Sequence, residues 1–171
     1  MKKIAVLVED HYQVLEVWYP YLRLREAGYH TVFVGPGRKK DYESKEGYPA
    51  PEELSIKQAK VEDFAAVVVP GGYAPDLLRR SKEITAFVKS MSAKGKLVAA
   101  ICHAGWVLVS ADILRGKKAT CFSAIRDDVV NAGAAFVDQE VVVDGNLITS
   151  RNPYDLPPFC REIVNWLKEN A

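Results

Sequence analysis

An α/β fold built on a mostly parallel sheet is predicted by three features of this chain. Continuously apolar runs at 4–8, 65–69 and 97–101 read as strands covered on both faces. Helical periodicity at 14–27 and 81–94 separates them. Turn residues then close each element, at Gly28, Gly35-Pro36-Gly37, Pro70-Gly71-Gly72 and Gly95. Alternation of buried-type strands with helices gives a parallel sheet with helices on both faces.

The elements follow in order. Residues 4–8 form the first strand, 14–27 a helix capped by Gly28, and 29–34 a second strand. Residues 38–60 are polar and irregular, a loop with short extra strands. Residues 65–69 form the third strand, 81–94 a helix stopped by Gly95, and 97–101 the fourth strand. A helix over 103–114 comes next, ended by Arg115-Gly116-Lys117-Lys118, and another covers 125–132. Val141 to Ser150 is a hairpin with Asp144-Gly145-Asn146 at its tip, because alternating β-formers flank a turn dipeptide. Residues 156–170 form the last helix, with Pro157-Pro158 in its first turn.

At 171 residues the chain is expected to form one domain, 1–171, large enough to bury a full core. Its 49% hydrophobic and 26% charged content is that of an ordinary globular protein. A net charge of +1 lacks the basic excess of a nucleic-acid surface, and Arg38-Lys39-Lys40 reads as a solvated loop. No apolar run approaches the roughly 18 to 20 residues of a membrane span. The start has no signal-peptide pattern, since Glu9 and Asp10 follow the first apolar run at once. Three scattered cysteines give neither a disulfide framework nor a paired metal motif. His11 and His30 lack further ligands at metal spacing. A cytoplasmic protein without metal, cofactor, nucleic acid or membrane partner is expected.

One position stands out. The strand Leu97–Ile101 runs directly into Cys102 and then into a helix, so Cys102 sits on a sharp strand-to-helix turn. Ala100 and Ala104 are small, as such a nucleophile elbow requires. The following helix aims its N–H groups and positive dipole end at the sulfur, which favours the thiolate. The alternative is a packed core cysteine, the reading that suits Cys121 and Cys160. In open parallel sheets, ligands bind beyond the carboxyl ends of the strands. The loops 9–13, 70–76 and 102–103 therefore converge, and the N–H groups of Gly72 and His103 are placed to hold an oxyanion. Gly71-Gly72 would otherwise be a tight turn without chemistry. Arg151 and Asp155 read as a structural ion pair, and Asp127-Asp128 as a solvated helix face.

Several of these stretches resemble the PfpI branch of the ThiJ/PfpI superfamily. They are Pro70-Gly71-Gly72-Tyr73-Ala74-Pro75-Asp76, Ala100-Ile101-Cys102-His103, 110–118, 131–134, 138–144 and 150–156. The resemblance spans nearly the whole chain apart from 38–60. It implies a flavodoxin-like three-layer sandwich and a homo-oligomer, a dimer or a dimer-based hexamer. Members of that family are described as cysteine peptidases, as cofactor-free glyoxalases converting methylglyoxal to lactate, as deglycases, and as stress-response chaperones or redox sensors. It makes Cys102 the nucleophile and His103 its base. It places Asp76, from an adjoining subunit, as the acid of a peptidase triad, where those peptidases carry a glutamate. The alignment puts Gln13 where most members have a protonated glutamate that donates a hydrogen bond to the thiolate. Gln13 keeps the donor and loses the exchangeable proton, which Glu9 or Glu16 would have to supply in its place. That favours hydrolysis of an amide, peptide or glycation adduct over a glyoxalase reaction. Ala104-Gly105-Trp106 also departs from the family pattern, and Trp106 either narrows the pocket above the sulfur or packs in the core.

Overall fold

The computed structural model describes residues 2–170. Its centre is a seven-stranded sheet formed by β1 (Lys3–Leu7), β2 (Thr31–Gly35), β5 (Leu54–Ser55), β6 (Phe64–Val69), β7 (Leu97–Ile101), β10 (Val141–Asp144) and β11 (Leu147–Ser150). The strand order is β10-β11-β7-β6-β1-β2-β5. Every pairing is parallel except β10 with β11, the hairpin read from the sequence. Two small sheets stand apart, an antiparallel pair of β3 (Asp41–Glu43) with β4 (Pro49–Pro51) and a parallel pair of β8 (Lys118–Ala119) with β9 (Ala135–Phe136).

The helices are α1 (Val14–Glu26), α2 (Ala74–Leu78), α3 (Lys82–Ala93), α4 (Gly105–Ser110), α5 (Arg126–Asn131) and α6 (Leu156–Asn170). On one side of the sheet α1 packs against α6. On the other, α2 and α3 pack against α4, and α4 against α5. This is the flavodoxin-like three-layer arrangement. The central strands carry no exposed residue: β6 and β7 are buried throughout. Such strands must be apolar on both faces, which is why they read as unbroken runs.

Two differences from the sequence expectation matter. The helix expected over 103–114 is a 3₁₀ turn, Cys102–Ala104, followed by the six residues of α4. It stops because Asp112 adopts a left-handed conformation, φ 55°, which aspartate tolerates better than most residues. The segment 38–60 does hold the short extra strands expected of it, β3 and β4 forming a hairpin beside the first loop. A short helix, α2, follows the glycines of the third loop. No helix among the described residues is long and apolar enough to cross a membrane.

Because β1, β6 and β7 are adjacent and parallel, their C-terminal loops lie side by side. Packing fixes that alignment. Phe159 on α6 is fully buried in the core that holds the helix to the sheet. Phe159→Ala is expected to lower unfolding free energy by about 3–5 kcal/mol, read as a shift of the urea midpoint with an unchanged slope.

Candidate active site

Cys102 ends β7 with φ 63°, so its backbone turns sharply and lifts the side chain out of the sheet. The residue is 8% exposed. Two backbone donors, the N–H groups of Gly72 and His103, point at its sulfur. Gly72 reaches this position only as a glycine. Its φ is 77°, and a Cβ there would lie 2.5 Å from Gln13 N and 2.6 Å from His11 O, both rigid backbone atoms. The elbow and the donor pair read from the sequence are thus brought together.

The carboxyl group beside the sulfur comes from Glu16, one of the two acids that the sequence offers in place of the family glutamate. Glu16 is fully buried on the first turn of α1, and its Oε2 accepts a hydrogen bond from Gly71 N at 2.7 Å. Its Oε1 is buried with no hydrogen-bond partner among the described residues, which leaves it free to hold or release a proton at Cys102. Gly71 makes room for the pair. A Cβ on it would sit 2.5 Å from Glu16 Oε2 and 3.0 Å from Cys102 Sγ.

The expectation that Gln13 donates to the sulfur is therefore corrected. Gln13 is the N-cap of α1, in extended conformation. Its Oε1 accepts from Leu15 N at 2.7 Å and Glu16 N at 3.0 Å, satisfying two of the helix's free amides. The carboxyl that seemed missing lies three residues further on. The sequence did carry a signal for it: Glu16 lies on the side of α1 whose neighbours Val17, Pro20, Tyr21 and Leu24 are buried. An acid on the apolar stripe of an amphipathic helix calls for a buried partner.

Burial raises the Glu16 pKa to about 7, because the charged form is poorly solvated there. Burial also pushes the Cys102 thiol up, to about 12, with the negative charge of Glu16 adding to the rise. A thiol depressed by a helix terminus was expected; α4 is too short and too far along the turn to outweigh these effects. The two groups share protons as one system. A proton on Glu16 lowers the cost of forming the thiolate, since the repulsion is then removed and the carboxyl can donate to the sulfur, while the burial penalty stays.

His103 Nδ1 lies 3.3 Å from Sγ. Its ring stacks on Phe122, with centroids 4.8 Å apart, and meets Trp106 edge-on at 5.3 Å. Trp106 is half-buried, packs against the edge of the core and is held by a bond from Nε1 to Asp128 Oδ2 of 2.8 Å, so it also walls the histidine. Burial foremost, then the positive charge of Lys45, lowers the His103 pKa, so the imidazole is neutral at neutral pH. Asp76 sits on α2 and pairs with Arg80 in its own chain. Among the described residues no carboxylate bonds the His103 ring. Arg151 bridges Asp138 and Asp155, each at 2.9 Å, as a structural clamp. Among the described residues no three His, Cys, Asp or Glu side chains gather as metal ligands would.

Comparisons with known proteins assign the chain to a family. The model of the DJ-1/PfpI family matches residues 2–166. Deglycase PfpI of Pyrococcus furiosus is 40% identical over 166 residues, 97% of this chain and 99% of the relative. Protein/nucleic acid deglycase 2 of Escherichia coli is 41% identical over 168 residues, 97% of this chain and 98% of the relative. A crystal structure of a two-domain protein from Anabaena variabilis, with DJ-1/ThiJ/PfpI-like and ferritin-like domains, superposes with a TM-score of 0.96 at 43% identity. The match covers 98% of this chain and 48% of that one.

Two variants separate the cap from the acid. Gln13→Ala is expected to cost about 1 kcal/mol of stability through the lost cap and to leave the iodoacetamide reactivity of Cys102 unchanged. Glu16→Gln keeps a donor beside the sulfur and removes the exchangeable proton. The Cys102 alkylation rate should then lose its inflection near 7 and rise steadily with pH as the thiolate fraction grows. Stability gives a second readout. An acid whose pKa is raised on folding binds its proton more tightly in the native state, so stability falls as pH climbs from 4.5 to about 7. The rise corresponds to about 3 kcal/mol at roughly 1.36 kcal/mol per pH unit. Urea midpoints of the native protein should decline across that window, and those of Glu16→Gln should stay flat.

Proposed function

The chain belongs to the DJ-1/PfpI family, and from that premise we propose that it is a cysteine-dependent deglycase. Its substrate is an early adduct of an amine with a 2-oxoaldehyde, and its products are the free amine and a 2-hydroxy acid. The observation that carries this reading is the buried Glu16 carboxyl facing Cys102, close to its pKa at neutral pH.

The chemistry follows from the groups present. The Cys102 thiolate forms a bond to the carbinol carbon of the adduct, and the C–N bond breaks with the amine taking a proton. The resulting hemithioacetal carries a hydrogen on the sulfur-bearing carbon next to a carbonyl. A base removes that proton, the enediol forms, and a proton returns at the adjacent carbon, leaving a thioester of the 2-hydroxy acid. Water then hydrolyses the thioester and regenerates Cys102. The proton shift between neighbouring carbons needs a group that both accepts and donates near neutral pH, and Glu16 is that group. Gly72 and His103 offer their N–H groups to the oxygen anion as soon as the sulfur is bonded to carbon and needs them less. Neutral His103 is available as the base for the hydrolytic step. A free 2-oxoaldehyde enters the same sequence at the hemithioacetal, so glyoxalase turnover accompanies this activity. The objection drawn from Gln13 falls with the assignment of Glu16.

Peptide hydrolysis is favoured less. It calls for a carboxylate on His103, and Asp76 is engaged by Arg80 within the chain. In a homo-oligomer Asp76 would have to leave that pair to serve a neighbouring copy. The deciding assay incubates the protein with methylglyoxal-treated N-acetyllysine and with fluorogenic peptides. Release of free amine together with lactate is expected, abolished in Cys102→Ala and reduced roughly 10²- to 10⁴-fold in Glu16→Gln. Asp76→Ala should change it less than threefold, the scale of an exposed ion pair. Cleavage of peptides without amine release would establish the peptidase reading. Inertness toward both would leave Cys102 as a redox or chaperone element.

A further inference from the structure

The β3–β4 hairpin is mounted on the rim of the site through the first loop. His11 N donates to Glu43 O at 2.7 Å and Lys45 N donates to Tyr12 O at 3.0 Å. Tyr12 is fully buried, and its backbone bridges Ser44 of the hairpin on one side and Gly72 on the other. Gly72 is the residue whose N–H points at the Cys102 sulfur. The turn itself is tight. Ser44 Oγ accepts from Glu46 N at 3.1 Å and Tyr48 N at 3.0 Å, and Gly47 has φ 80°. Arg38 with Glu9 and Lys39 with Asp10 tie the preceding strand connection to the same loop. The side chain of Lys45 is exposed at this tip and has no carboxylate partner among the described residues.

We propose that Lys45 is a specificity-determining residue whose ammonium recruits electrophiles carrying an anionic group, a carboxylate or a phosphate, close to the carbon that Cys102 attacks. The inference rests on the reading of Cys102 as the nucleophile. A thiolate beside Glu16 presents negative charge, which repels an anionic substrate unless a cation lies within reach. Lys45 supplies it, and its charge is felt at both Glu16 and His103. Glu46 opposes it at Glu16, where the effect of Lys45 is the larger, and is absent from the influences on His103. The favoured substrates are therefore adducts of small anionic amines, free amino acids or nucleotides, over adducts of neutral ones.

Iodoacetate and iodoacetamide deliver the same reaction with and without a negative charge, so their rate ratio at Cys102 reads this cation without any turnover. Peptide mass spectrometry confines the measurement to Cys102, and the ratio is normalised to N-acetylcysteine at low ionic strength. The native protein is expected to favour iodoacetate relative to the free thiol. Lys45→Met should lower the ratio about five- to tenfold, Lys45→Arg should keep it, and 0.5 M salt should bring the native ratio down toward that of Lys45→Met. An identical ratio in native protein and Lys45→Met overturns the proposal. A turnover arm compares methylglyoxal adducts of N-acetylarginine with those of its amide, and of GMP with guanosine. A rise in KM for the charged member of a pair in Lys45→Met assigns carboxylate or phosphate as the recognised anion. If no adduct is turned over while the alkylation ratio still depends on Lys45, the deglycase reading fails and Lys45 stands. If adducts are turned over with a ratio indifferent to Lys45, the reverse holds.

Discussion

The structure depends most on a carboxyl group buried against a sulfur. Glu16 has no access to water, one of its oxygens is orphaned, and its charge raises the proton affinity of Cys102. A fold selected for stability alone would place an apolar residue there. Around this pair the neighbouring residues are constrained in turn. Gly71 can carry no side chain, because a Cβ would meet Glu16 and Cys102 together. Gln13 caps the turn of α1 that carries Glu16. Pro20, four residues on, has no N–H to give to the Glu16 carbonyl, so α1 lacks the backbone hydrogen bond that would run back to this residue.

Sheet topology turns these local constraints into a site. The adjacency of β7, β6 and β1 puts the cysteine elbow, the glycine pair and the start of α1 at one edge. Each contributes one group: a cysteine held at positive φ, a backbone donor that exists only because Gly72 is glycine, and an acid with a pKa close to neutrality. His103 completes the set and is kept uncharged by burial between Phe122 and Trp106. Neutrality matters, since a protonated imidazole beside Sγ could not serve as a base.

Much of this was legible in the sequence, for a physical reason. Strands buried on both faces have to be continuously apolar, so β6 and β7 showed themselves. Leu97–Ile101 and the last helix, Leu156–Asn170, fell where the pattern placed them. Cys102, His103 and Gly72 were legible because a nucleophile elbow and its donors are fixed by local chain geometry. Glu16 stood there only as an alternative beside Glu9, because an alignment by loop position favoured Gln13. The burial pattern of α1 distinguishes the two: position 13 precedes the helix and its side chain turns back to the amides, whereas position 16 faces the core. The thiol's acidity was also misjudged from sequence, since a nearby acid and burial outweigh a six-residue helix.

The least legible segment, 38–60, is the one that shapes the mouth of the site. Its sequence is polar because much of what holds it is polar. Ion pairs to Glu9 and Asp10 and backbone bonds to His11 and Tyr12 do the anchoring, with Tyr42 and Ala50 its completely buried side chains on the hairpin strands. Such contacts leave no periodicity to read, since each partner lies some thirty residues away in the chain. Cys102, His103 and Glu16 sit on or beside elements whose hydrophobic pattern specifies them, and Lys45, the residue proposed to select among substrates, sits on one that is specified by long-range pairing. That division lets the rim change its charge, at Lys45 or Glu46, without disturbing the packing that holds Glu16 to Cys102.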